Sequence, residues 1–172
     1  EARQHYEKHG LYTCGPCTNA MDYNWFYCDL VEKFPLGERS DLINALLASP
    51  SIEAHRRYSA LNSNELMCRV ISLLPAEERL PLIKSQLSAP TMGVHAKYRK
   101  TPDYANGRWR DPKVTIGEYT FWVGQHQKTY MGVVNELIAL APAKEQGALI
   151  NEVCGSQTFL NLAESEPDYL RP

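Results

Sequence analysis

The chain has 172 residues, 44% hydrophobic and 22% charged, a size and composition that fit one globular domain. Eighteen Lys and Arg against twenty Asp and Glu leave a net charge of −2, which argues against a general nucleic-acid or membrane-surface binder. Its longest apolar runs, such as Ala45-Leu46-Leu47-Ala48, fall far short of a bilayer span, and five cysteines, an odd number, favour a reducing compartment over a disulfide scaffold. It opens on Glu1 with no secretory signal, which predicts a trimmed or partial chain.

The first residues hold His5, His9, Cys14 and Cys17, four zinc-competent side chains within a short span. The alternative is that His5 and His9 lie on an exposed helix end. Cys14-Gly15-Pro16-Cys17 has the letters of the thioredoxin motif, but no buried strand precedes it and no βαβ pattern follows. Next, Tyr23, Tyr27, Leu30, Val31 and Phe34 make an apolar helical stripe, with Thr18 or Asn19 as its cap. A second stripe of Leu66, Met67, Val70, Ile71 and Leu74 follows, with Asn62 and Glu65 spaced as a reciprocal N-terminal cap. Each stripe closes at a proline, Pro35 or Pro75. Gly37 and Pro81 predict short turns before helices near 40–48 and 80–88, and Ser51 is placed to cap a further helix after Pro50. Cys28, Cys68 and Cys154 fall in apolar stretches and are read as small core residues.

These elements repeat. A shift of 40 residues lays Phe34-Pro35-x-x-Glu38-Arg39-x-x-Leu42-Ile43 on Leu74-Pro75-x-x-Glu78-Arg79-x-x-Leu82-Ile83. Of the 29 pairs from Leu30/Val70 to Tyr58/Tyr98, nine are identical, and they include Pro, Glu-Arg and His-x-x-Tyr positions that amphipathicity alone does not explain. A weaker third copy carries Leu137-Ile138, Pro142, Glu145 and Leu149-Ile150. The expected fold is therefore mainly α, built of tandem helical units of about 40 residues, the length of HEAT- or armadillo-type units. Arg39 and Arg79 are expected to bind carbonyls at the end of the preceding helix, or alternatively an acidic partner.

Residues 99–128 interrupt the pattern. Val114, Ile116, Tyr119, Phe121 and Val123 alternate about Gly117-Glu118, predicting a small β-hairpin insertion. Arg108-Trp109-Arg110 within it has residue types enriched at interface hot spots, and is the candidate protein-binding cluster. The whole is expected to form one helical-repeat-like domain over 1–163, with 164–172 a C-terminal tail or linker.

Two resemblances suggest functions. The Leu-Pro-x-x-Glu-Arg-x-x-Leu-Ile units, over roughly residues 30–98 and 137–154, resemble helical repeats of secreted effector proteins of Gram-negative bacteria. That implies a virulence-associated protein-interaction module, secreted into the host cytoplasm and docking on a host protein, with the ubiquitin system as one setting. The net charge and the short apolar runs predict no membrane contact and argue against a nucleic-acid partner. The alternative is a papain-like cysteine hydrolase, a protease or glutamine deamidase, which the entry Thr13-Cys14-Gly15-Pro16-Cys17 also resembles. It would use Cys14 as nucleophile, His95 as proton carrier and Asp111 to orient the ring. His55, the repeat-mate of His95, argues instead that the histidine belongs to the helical unit. No cofactor is expected, apart from the possible zinc.

Overall fold

The structure is a computed structural model that describes residues 18–58, 60–97, 113–116, 119–122 and 128–165. It is mainly α-helical, as the periodicity predicts. Among the described residues, nine α-helices fall into three triplets. The first is α1 (Thr18–Val31), α2 (Arg39–Leu47) and α3 (Pro50–Tyr58). The second is α4 (Ala60–Ser72), α5 (Arg79–Leu87) and α6 (Pro90–Lys97). The third is α7 (Tyr130–Leu140), α8 (Ala143–Cys154) and α9 (Gln157–Ser165). Two short strands, β1 (Lys113–Ile116) and β2 (Tyr119–Trp122), pair antiparallel with Ile116 opposite Tyr119, and β2 lies against α3 and α4. The tail expected over 164–172 lies outside the described residues except for its first two positions.

The joints between helices follow from a few residues. Pro35 and Pro75 stand in the same extended conformation (φ −54°, ψ 144° and φ −53°, ψ 144°) and lead into 3₁₀ turns over Leu36–Glu38 and Ala76–Glu78. Pro142 has a similar conformation (φ −53°, ψ 137°), but α8 follows it directly. Pro50 and Pro90 occupy the first helical position of α3 and α6, where a missing N–H costs nothing. Pro81 is tolerated for the same reason, within the first turn of α5.

The last carbonyls of the leading helices are held by side chains. Arg39 donates from Nε to Phe34 O and from Nη2 to Glu32 O, both at 2.9 Å. Arg79 repeats this on Leu74 O at 2.9 Å and Ser72 O at 3.1 Å. In the third triplet Gln146 donates to Ala141 O at 3.1 Å from the matching place. These are the carbonyl-binding arginines that the sequence leads one to expect, and they satisfy groups a helix end leaves orphaned.

Packing runs from one triplet to the next. α1 contacts α2, α3 and α4, and α4 contacts α5, α6 and α7. One core joins Cys28, Val31, Ile43, Leu46 and Ile52 to Leu66, Val70 and Leu74. The other joins Cys68, Ile71, Ile83 and Met92 to Val133, Leu137 and Leu149. Complete burial of side chains such as Leu66 or Leu137 contributes roughly 1.5–3 kcal/mol each, so the cores are what bind the triplets together. Polar contacts line the same seams: Arg69 on α4 pairs with Glu32, just after α1, at 2.5 Å, and Ser40 donates to Glu78 at 2.6 Å.

Three sequence expectations are corrected here. Asn62 lies inside α4 rather than at its cap, because the helix already begins at Ala60. Ser51 is likewise inside α3, which starts at Pro50. Cys154, expected in the core, is exposed at the end of α8, whereas Cys28 and Cys68 are buried.

Candidate functional site

Two buried polar clusters stand 40 residues apart, each built on an asparagine of a leading helix. Asn24 on α1 donates from Nδ2 to Ser51 O at 3.2 Å and to His55 Nδ1 at 3.1 Å, while its Oδ1 accepts from Ser51 Oγ at 2.7 Å. Asn64 on α4 donates to Thr91 O and to His95 Nδ1, both at 3.1 Å, and its Oδ1 accepts from Gln86 Nε2 at 2.8 Å. A donor on Oδ1 fixes which way each amide points. Its two N–H groups then go to a carbonyl and to a ring nitrogen. A ring nitrogen that accepts carries no proton, so both histidines are neutral with the proton on Nε2.

What the Nε2 proton meets differs between the clusters. His95 Nε2 donates to Lys128 O at 2.7 Å, from the stretch just before α7. The residue 67 places earlier, Leu61, is already inside α4, where helical bonding commits its carbonyl. His55 Nε2 accordingly has no partner, and is the buried side-chain polar atom so left among the described residues. Burial holds His55 down to a pKa of about 4. It lowers His95 as well, with the Lys128 carbonyl acting against it. Neither ring is poised to exchange protons near neutrality.

The third triplet omits the pair. The positions matching Asn64 and His95, 67 residues on, are Met131 and Leu162, and both belong to the apolar core around Leu137. An Asn–His pair is therefore one of two ways to join the first and third helices of a triplet. Its role is to clamp α3 to α1 and α6 to α4.

The two buried thiols among the described residues are equally quiet. Burial pushes Cys28 and Cys68 up to about 12, far from the thiolate that a nucleophile requires. Among the described residues, no cluster of three or more His, Cys, Asp or Glu could hold a metal ion. No helix among them is long and apolar enough to cross a membrane.

Among the described residues, an open cleft of about 400 Å³ lies between the first and second triplets. Glu53 and Arg56 of α3 line it, as do Ser85 and Gln86 of α5, with Met67 and Leu82 adding apolar surface. This volume falls in the range of small-ligand and peptide pockets, and the lining joins an apolar patch to charges of both signs. Gln86 connects the cleft to the buried cluster, because its amide also holds Asn64.

Of the residues singled out in the sequence, His95 is placed within this structure, buried and bonded at both ring nitrogens. Cys14 and Asp111, His5, His9 and Cys17, and Arg108, Trp109 and Arg110 all lie outside the described residues. Asn24 and Asn64 escaped the sequence reading, which began its alignment at Leu30. Six residues further upstream the same 40-residue shift pairs Cys28 with Cys68 and Asn24 with Asn64. No family model, curated protein or solved structure matches the chain.

Proposed function

We propose that the chain is a protein-interaction scaffold made of three tandem helical units, one per triplet, with the paired strands inserted between the second and third. Identical joint chemistry at matched positions supports the units: proline, carbonyl-binding Arg39 and Arg79, and the Asn–His clamp. The cleft lined by Glu53, Arg56 and Gln86 carries the functional reading. It would take an extended segment of a partner protein, with a side chain beside Met67 and Leu82 and charges of both signs at the rim. The resemblance to effector repeats suggests a host protein as partner, with the ubiquitin system as one setting. Arg108, Trp109 and Arg110 would supply a second anchor. The scaffold is favoured over a cysteine hydrolase because both ring nitrogens of His95 are committed and His55 repeats its arrangement with Asn24.

Selection of displayed peptides on the purified protein tests this reading. Binders should share a motif carrying both an apolar residue and a charge, and Arg56→Glu should weaken them by about tenfold or more. Helicity and melting temperature should change little, since Arg56 lines the open cleft and makes none of the clamp's hydrogen bonds. Binders indifferent to Arg56→Glu, or no binders at all, would remove the cleft from consideration.

A further inference from the structure

Each leading helix presents one face to the triplet before it. On α4 and the turn after it that face is Leu66, Val70 and Leu74, at 0%, 0% and 3% exposure, packed into the core shared with the first triplet. On α7 and the residue that follows it the matching residues, 67 places on, are Val133, Leu137 and Ala141, at 0%, 0% and 6%. On α1 and the turn after it, 40 places back, they are Phe26, Leu30 and Phe34, at 56%, 46% and 42%. Asn24 and Cys28 are buried like Asn64 and Cys68, so α1 has the same rotation as α4, and its outward stripe is the same face without a neighbour among the described residues.

The other end carries the complementary half. Ile43 and Ile83 sit at the seam with the following triplet, both fully buried, Ile43 beside Leu66 and Val70, Ile83 beside Val133 and Leu137. Their counterpart in the third triplet is Ile150, four residues before the end of α8 as Ile83 is before the end of α5. The ends of these helices match in their bonding too. Ser88 N and Gly155 N donate to Lys84 O and Asn151 O, and Ala89 N and Ser156 N to Gln86 O and Val153 O. Ile150 is 47% exposed. Terminal units of stacked-repeat proteins ordinarily turn a polar face outward. Here each end displays half of an apolar contact that the molecule makes twice internally.

Resting on the tandem-unit reading, we infer that the Phe26–Leu30–Phe34 face docks on the Ile150 face of a second copy of this chain, continuing the stack head to tail. Such a contact uses two different surfaces, so it leaves one of each free on every pair and copies can keep adding beyond two.

Light scattering over a concentration series tests this on the whole chain. Mass should climb past that of two chains as concentration rises about a hundredfold. Leu30→Arg and Ile150→Arg should each hold the protein at the mass of one chain. Their equimolar mixture should stop at two chains, since one variant keeps an intact Ile150 face and the other an intact Leu30 face. Both sites are exposed, so circular dichroism and melting temperature of the variants should match the parent protein and separate lost docking from lost folding. A parent protein that remains a single chain throughout would overturn the inference and leave the three-unit scaffold intact. Self-association of Ile150→Arg at the parental level would overturn it too, by showing that the α1 face pairs with itself. The scaffold reading would fail separately, if the His55 and His95 rings proved to be in different states.

Discussion

Asn64→Ala should cost about 2–5 kcal/mol of stability at neutral pH, because one substitution strands two buried side-chain groups at roughly 1–3 kcal/mol each and takes a further bond from a helical carbonyl. The stranded groups are His95 Nδ1 and Gln86 Nε2, the carbonyl is Thr91 O, and all three residues are buried. Urea unfolding should show a lower midpoint with an unchanged slope, since the extent of the folded core stays the same. Replacing both members of a clamp should behave differently. Asn24→Met combined with His55→Leu copies the Met131 and Leu162 arrangement of the third triplet, and Ser51 Oγ keeps Ser49 Oγ at 2.6 Å. The double variant should cost less than about 1.5 kcal/mol, the range of volume-conserving core changes. His55→Leu alone should cost more than the pair, because Asn24 Nδ2 then faces an apolar ring site. A loss under about 1 kcal/mol for Asn64→Ala would mean that water reaches the cluster and that it clamps nothing.

Stability should also fall by about 2 kcal/mol or more between pH 7 and pH 5. The unfolded chain takes up a proton on each histidine near pH 6.5, while folded His55 resists it down to about 4. A folded-state pKa held below the unfolded one leaves full stability above 6.5 and loses it progressively as pH falls toward 4. For His55 alone the loss by pH 4 amounts to about 3 kcal/mol. His95 adds in the same direction. Glu65 works against both, because its burial raises the carboxyl and makes protonation easier in the folded state. Glu32, held down by Arg69, contributes stability throughout this window and loses it only as pH falls through the ordinary carboxylate range, below pH 5. Unfolding free energies measured across the window in the Asn24→Met, His55→Leu variant should be flatter by the His55 share. A parent protein equally stable at pH 7 and pH 5 would contradict the burial of these rings.

Much of the architecture was legible because its signals are local. Pro35 and Pro75 with Glu38-Arg39 and Glu78-Arg79 mark the joints, and the carbonyl-binding arginines follow from that position. Helices expected near 40–48 and 80–88 run over Arg39–Leu47 and Arg79–Leu87. Signals that depend on tertiary context were lost. Ser51 and Asn62 have the composition of caps, yet Pro50 and Ala60 begin their helices earlier, leaving Ser51 to bond Asn24 instead. Asn24 and Asn64 look like solvent-facing residues until a histidine 31 positions later is folded against each. Cys154 was misplaced because periodicity cannot distinguish a middle helix, covered on both sides, from one at the end of a stack. The same blindness hid the exposure of Phe26, Leu30 and Phe34, whose pattern matches that of their buried counterparts.

Nitrogen NMR of the imidazole rings addresses the paired clamps most directly. His55 and His95 should both appear at neutral pH as uncharged rings with Nδ1 bare and Nε2 protonated, and neither should titrate near 6.5. The His95 Nε2 proton should carry the signature of a hydrogen bond to Lys128 O, and that of His55 should lack one. Rings in opposite tautomers, or either ring titrating at the value of an exposed histidine, would contradict the repeated Asn–His clamp and the tandem units built on it.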